Sequence, residues 1–436
     1  MRFVYLDSAL SNNLGHHANS CRQIVGAARK RGIETLVLAH ESVQRSLQAE
    51  LAAEPYFRWF TYAPLSQTKW QHYVDIRTYK AGVMVNGVLA PFMPSTFGLA
   101  KWLSEFRRAV DMTTKDFSRI GLTLDDTVYI NSAQSVQLAA AVSFLRSIPP
   151  GRRPRMILEF GVDIGAQRNS IEVDSELKLT DPSFDPRGTL YRLAISGWPR
   201  AAGPLPLTCA TFDRVASDAY RLLLGCPITT LPLPRVALTT RRSRVGASPV
   251  TIGVLGHQRE EKGYQYVPEI VRRVLDVRPN TRFLLHNGHP AELSSVQAEL
   301  RKLAACDSRL ILDERLADEP IWRALLDRSD LILCPYEPNR YRASYSAVAA
   351  EATAEAIPLV VPADTSLSAM AASDGAACTT FNLWEAHSIA DAVVGALDRF
   401  DELAHRADVA AAKWPTKHGP QRLLDAILRA KEPAAS

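Results

Sequence analysis

Short apolar runs alternate with stretches of helical periodicity along most of the chain. Arg2 to Leu6 reads as a brief apolar strand. Asp7 to His17, rich in Ser, Asn and Gly, opens a helix running to about Arg31, which Gly32 ends before a second strand at Glu34 to Ala39. Strand, helix and strand in that order make a βαβ unit, because parallel strands need a crossover and a glycine readily takes the left-handed turn at a helix C-terminus. The alternation continues with strands at Asp126 to Asn131 and Met156 to Phe160, then a strand at Leu207 to Thr211, a helix at Phe212 to Leu224 and a strand at Pro227 to Leu231. It restarts at Val250 to Leu255 with a helix at Tyr264 to Val277, strands at Thr281 to His286 and Arg309 to Leu312, and a helix at Asp318 to Arg328. Helices at Ile389 to Arg399, with Ser388 as N-cap, and at Pro420 to Ala430 follow, with Trp414 between them. The pattern is that of two α/β halves.

The chemistry concentrates where such sheets bind ligands, beyond the carboxyl ends of the strands. Ser329 to Val361 reads as a strand (Leu331 to Cys334), a polar and aromatic loop, a helix (Ser346 to Ala356) and a strand (Leu359 to Val361). Glu351 lies on that helix among alanines, where a carboxylate could accept hydrogen bonds from a ribose diol; alternatively Glu351 and Glu355 form a solvated i,i+4 face. In the loop Gly256 to Gly263, Arg259 and Lys262 stand beside a helix N-terminus, a setting for a diphosphate or simply a charged turn. Gly15, His16 and His17 occupy the corresponding place after the first strand, able to hold an anion or a sugar hydroxyl, or to serve as an ordinary turn with a His cap. No GxGxxG fingerprint is present. Glu159 and Asp163 put carboxylates near another strand end, where acid or base work, capping or pairing are all open.

Arg235 to Ser248 lacks apolar periodicity and is basic, which marks a linker; the domains are then 1–234, 249–415 and a final segment 416–436. Ser42 to Phe92 has a weak pattern and many aromatics, Tyr56, Phe57, Trp59, Phe60 and Tyr62 among them, as core or as an acceptor platform. Phe97 to Val110 is an amphipathic helix suited to packing on a sheet or touching a membrane surface.

A chain of 436 residues has room for two or three domains, each with its own core. The net charge of +5 is gathered in clusters at 29–31, 107–108, 152–155 and 241–244, which read as solvated faces or as contacts to anionic lipid headgroups. Six scattered cysteines without metal-ligand spacing suggest free thiols in a reducing compartment. No apolar run is long enough to span a bilayer and the start turns polar too soon for a signal peptide, so the expectation is a cytoplasmic protein, peripheral at most at the inner membrane face.

The run Glu351-Ala352-Thr353-Ala354-Glu355-Ala356-Ile357-Pro358-Leu359-Val360 resembles the donor-site motif of the group 1, family 4-like glycosyltransferases of GT-B fold. The family's first Glu falls on Ala343, and Ala356 stands where the family prefers Gly. The loop Gly256 to Gly263 is similar to the family's Gly-Arg-x-x-x-Glu-Lys-Gly segment; Lys262 coincides, His257 takes the Arg position, and Arg259 is assigned the second cation. The resemblance implies two Rossmann-like doubly wound parallel-sheet domains facing an interdomain cleft, with a final helix crossing back onto the first domain. It implies sugar transfer from a nucleotide-diphospho-sugar, a UDP- or GDP-sugar, to a glycan or other hydroxyl-bearing acceptor, with retention and no obligatory metal; no bound cofactor and no nucleic-acid partner are expected. Arg259, Lys262 and His17 are the catalytic candidates. Gly256 and Glu351 belong to the donor site, with Tyr336, Arg342, Ser344 and Ser346 in the sugar-facing loop, while Gly15, His16 and Asp163 face the acceptor or phosphate. Two alternatives stay open: a catalytically inactive sugar-nucleotide-binding scaffold, and another GT-B enzyme such as an epimerase.

Overall fold

The computed structural model describes residues 1–13, 16–62, 96–161, 166–168, 177–179, 186–195, 205–237, 243–288 and 293–430. The N-terminal half carries β1 (Arg2–Asp7), α1 (His16–Lys30), β2 (Glu34–His40), α2 (Arg45–Leu51), β3 (Ala53–Phe57), α3 (Thr96–Arg119), β4 (Asp126–Ile130), α4 (Ser135–Ser147) and β5 (Arg155–Glu159). A small antiparallel pair, β6 (Ala166–Arg168) and β7 (Leu177–Leu179), then precedes α5 (Pro186–Ile195), β8 (Leu207–Thr211), α6 (Arg214–Leu224) and β9 (Ile228–Thr230). Seven of these strands form one parallel sheet in the order β3-β2-β1-β4-β5-β8-β9.

The second half repeats the plan with β10 (Val250–Val254), α7 (Val267–Val277), β11 (Thr281–His286), α8 (Ser294–Cys306), β12 (Leu310–Asp313), α9 (Glu319–Asp327) and β13 (Leu331–Leu333). It continues through α10 (Ala347–Ala354), β14 (Leu359–Pro362), α11 (Ser366–Asp374), β15 (Cys378–Phe381), α12 (Ala386–Asp398), α13 (Phe400–Lys417) and α14 (Pro420–Arg429). Its six-stranded parallel sheet runs β12-β11-β10-β13-β14-β15. In both sheets the order reverses beside the first strand, between β1 and β4 and between β10 and β13. Helices cover both faces, so β4, β8 and β13 are buried throughout.

Several elements differ from the sequence expectation for local reasons. Helix α3 runs on to Arg119 because Phe106, Ala109, Thr113 and Phe117 keep one inward face through a polar stretch. Ser388 lies inside α12, which begins at Ala386 after Glu385, so it is not the N-cap. Trp414 lies within α13 and not between helices. The basic clusters do not all face solvent: Arg153 and Arg244 are buried, and Arg31 pairs with Asp425 at 2.6 Å. Arg107 and Arg108 are exposed. Among the described residues no helix is long and apolar enough to cross a membrane.

The connecting segment and the last helix both fasten onto the domains. Arg244 reaches from the connecting segment to donate to the Ser329 and Glu355 carbonyls at 2.9 and 2.6 Å. Helix α14 returns to α1, burying Leu423, Leu424 and Ile427 in the cluster that holds Ile24 and Ala28, while Arg155 donates to the Leu428 carbonyl at 2.8 Å.

Candidate functional site

Helix α10 is built to sink. Ser346 caps it by accepting from the Ala349 N–H at 3.3 Å, and residues 348–354 are all buried, as a run of small side chains permits. At its end the Ile357 N–H returns to the Ala352 carbonyl and Ala356 takes φ 58°, the left-handed conformation that explains why glycine suits this position. Glu351 and Glu355 are both buried, which removes the solvated-face alternative.

Opposite α10, two glycines press the loop after β10 against the segment after β13. Gly263 has φ 68°, and a Cβ there would stand 1.9 Å from the Pro335 carbonyl oxygen. Gly256 has φ 105°, and its Cβ would meet the Lys262 Nζ at 3.4 Å and Val348 at 3.6 Å. Lys262 therefore runs across the bare backbone of Gly256, with Nζ 5.0 Å above the ring of Tyr336. Burial is the main force lowering its pKa, with nearby Arg259 pushing the same way, and the ammonium is brought down to about 8.

These walls enclose a cavity of about 190 Å³ at the β10/β13 reversal, closed from the N-terminal side by Asn13, Asn19 and Arg22 and otherwise lined by Arg235, His257, Lys262, Trp322 and Glu351 among others. Arg22 is held by Glu50 at 2.8 Å and donates to Asn13 at 2.6 Å. Glu351 accepts from the Trp322 indole N–H at 2.7 Å and lies 3.3 Å from Arg235 Nη1. Burial raises its pKa, against the pull of Arg235 and Trp322. Arg235 is fully buried; burial opposes its charge, but the Glu351 carboxylate and the Tyr345 side chain outweigh that and its pKa is raised.

The structure distributes the expected site residues unevenly. Lys262, Gly256 and Glu351 meet on the cavity. Arg259 is half-exposed outside it, 3.6 Å from Glu261. The Tyr336 ring is buried and lies tilted at 38° to that of Tyr341, with centroids 4.5 Å apart. Ser346 uses its oxygen as the helix cap, Ser344 is half-buried, and Arg342 donates to Asn339 at 3.2 Å. Ala343 is buried in the apolar cluster of the N-terminal domain, a place no carboxylate could occupy without losing its hydration. Gly15, Asp163 and the side chain of His16 lie outside the described residues.

His17 belongs to a second polar group, at the carboxyl ends of β1, β4 and β5. Its Nδ1 donates to Asp7 at 2.8 Å, and Asp7 also accepts from Asn131 at 2.9 Å and from the Ala9 N–H at 2.9 Å. In the neutral ring this leaves Nε2 as an acceptor, 3.2 Å from the Tyr62 hydroxyl. Glu159 accepts from the Ser132 N–H at 2.8 Å through one oxygen, and the other has no hydrogen-bond partner among the described residues; burial pushes its carboxyl up to about 7. Among the described residues no group of three or more His, Cys, Asp or Glu is placed to hold a metal ion.

Sequence reasoning missed Arg235, Trp322 and Asp7. Asp7 directly follows a predicted strand and could have been found by the same rule that singled out Glu159. Nothing in the local sequence distinguishes Arg235 from the basic segment it begins.

Two doubly wound parallel sheets facing one another across a cleft, joined by a returning C-terminal helix, define the GT-B fold. The solved structures similar to the chain share it at low identity. Sucrose-phosphate synthase from Thermosynechococcus elongatus is 11% identical, with TM-score 0.59 over 98% of this chain and 96% of that one. Anabaena HepE in complex with UDP-glucose is 14% identical, with TM-score 0.58 over 98% of both chains. A UDP-N-acetylglucosamine 2-epimerase from Listeria monocytogenes, itself described as putative, is 13% identical, with TM-score 0.55 over 99% of this chain and 96% of that one. No family model and no curated protein sequence matches the chain.

Proposed function

We propose that the chain is a glycosyltransferase that moves a sugar from a UDP- or GDP-sugar to a hydroxyl-bearing acceptor. The observation that carries this reading is the pairing of a buried carboxylate, Glu351, with a shielded ammonium, Lys262, on opposite walls of one interdomain cavity. That spacing suits a ribose at Glu351 and a diphosphate over Gly256, Lys262 and the first turn of α10. As the bond from the sugar C1 to the β-phosphate oxygen breaks, charge grows on the diphosphate, and Lys262 stabilises it, with Arg259 as a second cation from the loop's outer edge. The acceptor hydroxyl forms the new bond to C1 and gives up its proton on the N-terminal side, where His17 is held by Asp7. Retention of configuration and independence from a divalent metal are part of the proposal, as is peripheral contact with an anionic membrane through Arg107 and Arg108. UDP-glucose bound to HepE and the UDP-linked sugar in the epimerase's name support the choice of donor class.

The test is transfer or hydrolysis of UDP- and GDP-sugars by the purified chain, followed in Glu351→Gln, Lys262→Ala and the parent, with and without EDTA. Turnover should survive EDTA and fall about tenfold to a thousandfold in Lys262→Ala; Glu351→Gln should weaken nucleotide binding by about 1–3 kcal/mol. Nucleotide binding without any turnover would favour an inactive scaffold. One observation favours a further reading: Asp7, His17 and Glu159 form a buried acid–base group, which a sugar-nucleotide epimerase would use. Incubation in D₂O without acceptor separates the two, because an epimerase places solvent deuterium on the sugar.

A further inference from the structure

We propose that Cys226 is a peroxide-reactive thiol and Cys209 its resolving partner, the two closing to a reversible disulfide at the edge of the N-terminal sheet. Cys209 is the central residue of β8 and only 2% exposed. Cys226 lies between Gly225, which ends α6 in the left-handed conformation, and the edge strand β9. The parallel register sets Cys209 opposite Ile228, and Cys226 stands two residues before Ile228, the spacing at which an extended chain returns to the same face. Both cysteines pack in one apolar cluster, both are free thiols, and their side chains are hydrogen-bonded to each other.

The two sulfurs differ in what can reach them. Cys226 is half-buried and lines an open hollow of about 480 Å³ with Arg221, Gly225, Pro227 and Ile228, wide enough for a small oxidant. Cys209 is enclosed in the cluster, so an oxidant in solvent meets Cys226 first. The hydrogen bond works in the same direction. The Cys209 thiol donates and keeps its proton, which together with burial holds its pKa well above the ordinary value, while accepting that bond lowers the pKa of Cys226 against the effect of burial. Thiolate is the reactive form, and an accessible thiol of lowered pKa beside a second thiol is the arrangement that peroxide oxidises reversibly.

In the first step the Cys226 thiolate attacks one oxygen of hydrogen peroxide and the O–O bond breaks. Cys226 becomes a sulfenic acid, and the departing hydroxide takes up the proton that Cys226 gave to solvent, forming water. The Cys209 sulfur then attacks the Cys226 sulfur, the S–O bond breaks, and the hydroxyl leaves as a second water with the Cys209 proton. Two thiols lose two electrons and two protons, and one peroxide becomes two waters. The closer approach that a covalent bond requires falls to Cys226. Strand β8 is held between β5 and β9, whereas β9 has three residues, a single neighbour in the sheet, and exposed side chains at Thr229 and Thr230. The bond closes a loop that contains α6 and anchors the strand leading into the connecting segment.

The test exposes the full chain, reduced and freed of reductant, to hydrogen peroxide and maps its peptides by mass spectrometry without reduction. The Cys209 and Cys226 peptides should be recovered joined, with loss of two hydrogens, and should separate again in dithiothreitol, while the exposed Cys306 oxidises more slowly. In Cys209→Ala the sulfenic acid has no resolving thiol, so dimedone should label Cys226. Cys226→Ser, a change at the half-buried position, should leave Cys209 reduced. The inference is overturned if the two peptides stay unlinked, if either joins a different cysteine, if Cys306 is oxidised ahead of Cys226, or if Cys209 is oxidised in Cys226→Ser. The native chain alone decides the first three, whether or not the variants fold.

Discussion

Lys262 links diphosphate binding to a proton. In the free protein its ammonium sits near 8 against an ordinary 10.5, because burial between Gly256 and Tyr336 strips its hydration. About nine-tenths of the molecules carry the charge at pH 7 and about one-tenth at pH 9. A bound diphosphate returns the group to 10.5 or above. Binding then takes up about 0.1 proton at pH 7 and about 0.9 at pH 9, and affinity falls about tenfold between those values. The sign for the free protein follows from the same shift: the folded pKa lies below the unfolded one, so the burial cost is fully present below about pH 8 and is relieved as pH rises from 8 towards 10.5. Calorimetry with UDP at both pH values, in two buffers of different ionisation enthalpy, counts the protons directly. Lys262→Met should abolish the extra uptake at pH 9, and uridine, which lacks phosphate, should show none. Equal uptake at pH 7 and 9, or unchanged uptake in Lys262→Met, refutes the assignment of the diphosphate to this lysine.

Gly263→Ala forces a Cβ to 1.9 Å from the Pro335 carbonyl oxygen at a positive φ, so it should destabilise the chain by at least about 2 kcal/mol in denaturant titration, and a loss below about 1 kcal/mol would mean the loop is free to move. Glu159 has a folded pKa near 7, above its ordinary 4.5, so its contribution is unfavourable above pH 7 and vanishes below 4.5. Glu159→Gln should accordingly raise stability at pH 8 by on the order of 2 kcal/mol and change little at pH 4, and a gain of equal size at both pH values would refute the titration argument.

How much was legible in the sequence follows from which forces act locally. The strand–helix alternation was readable, because periodicity and glycine punctuation report directly on backbone geometry; the burial of Glu351 was not, because its spacing from Glu355 equally suits a solvated helix face. Strand β3 was not: its sequence, Ala-Glu-Pro-Tyr-Phe, lies at the sheet edge and is only half apolar. Helix α13 was hidden by Pro415 and by alanines that count weakly in any apolar pattern, although they pack closely. Ala343, read as a lost carboxylate, proves to be a small residue packed into the core of the opposite domain, a contact made by tertiary structure alone. Arg235 shows the limit most clearly. Its burial depends on Trp414 and Gly419, residues about 180 positions away in the chain that no local pattern connects to it.

The return of α14 to α1 also governs how the chain can assemble. Arg31 and Asp425 meet across 394 residues, and the Leu423, Leu424 and Ile427 side chains complete the apolar cover of a helix made long before them. Until residues 420–429 leave the ribosome, the apolar face of α1 that they cover stays open to solvent and to chaperones. The N-terminal of these two halves is therefore finished only after the second has been made. Contacts of such long sequence separation slow folding, because the loop between them must be closed first.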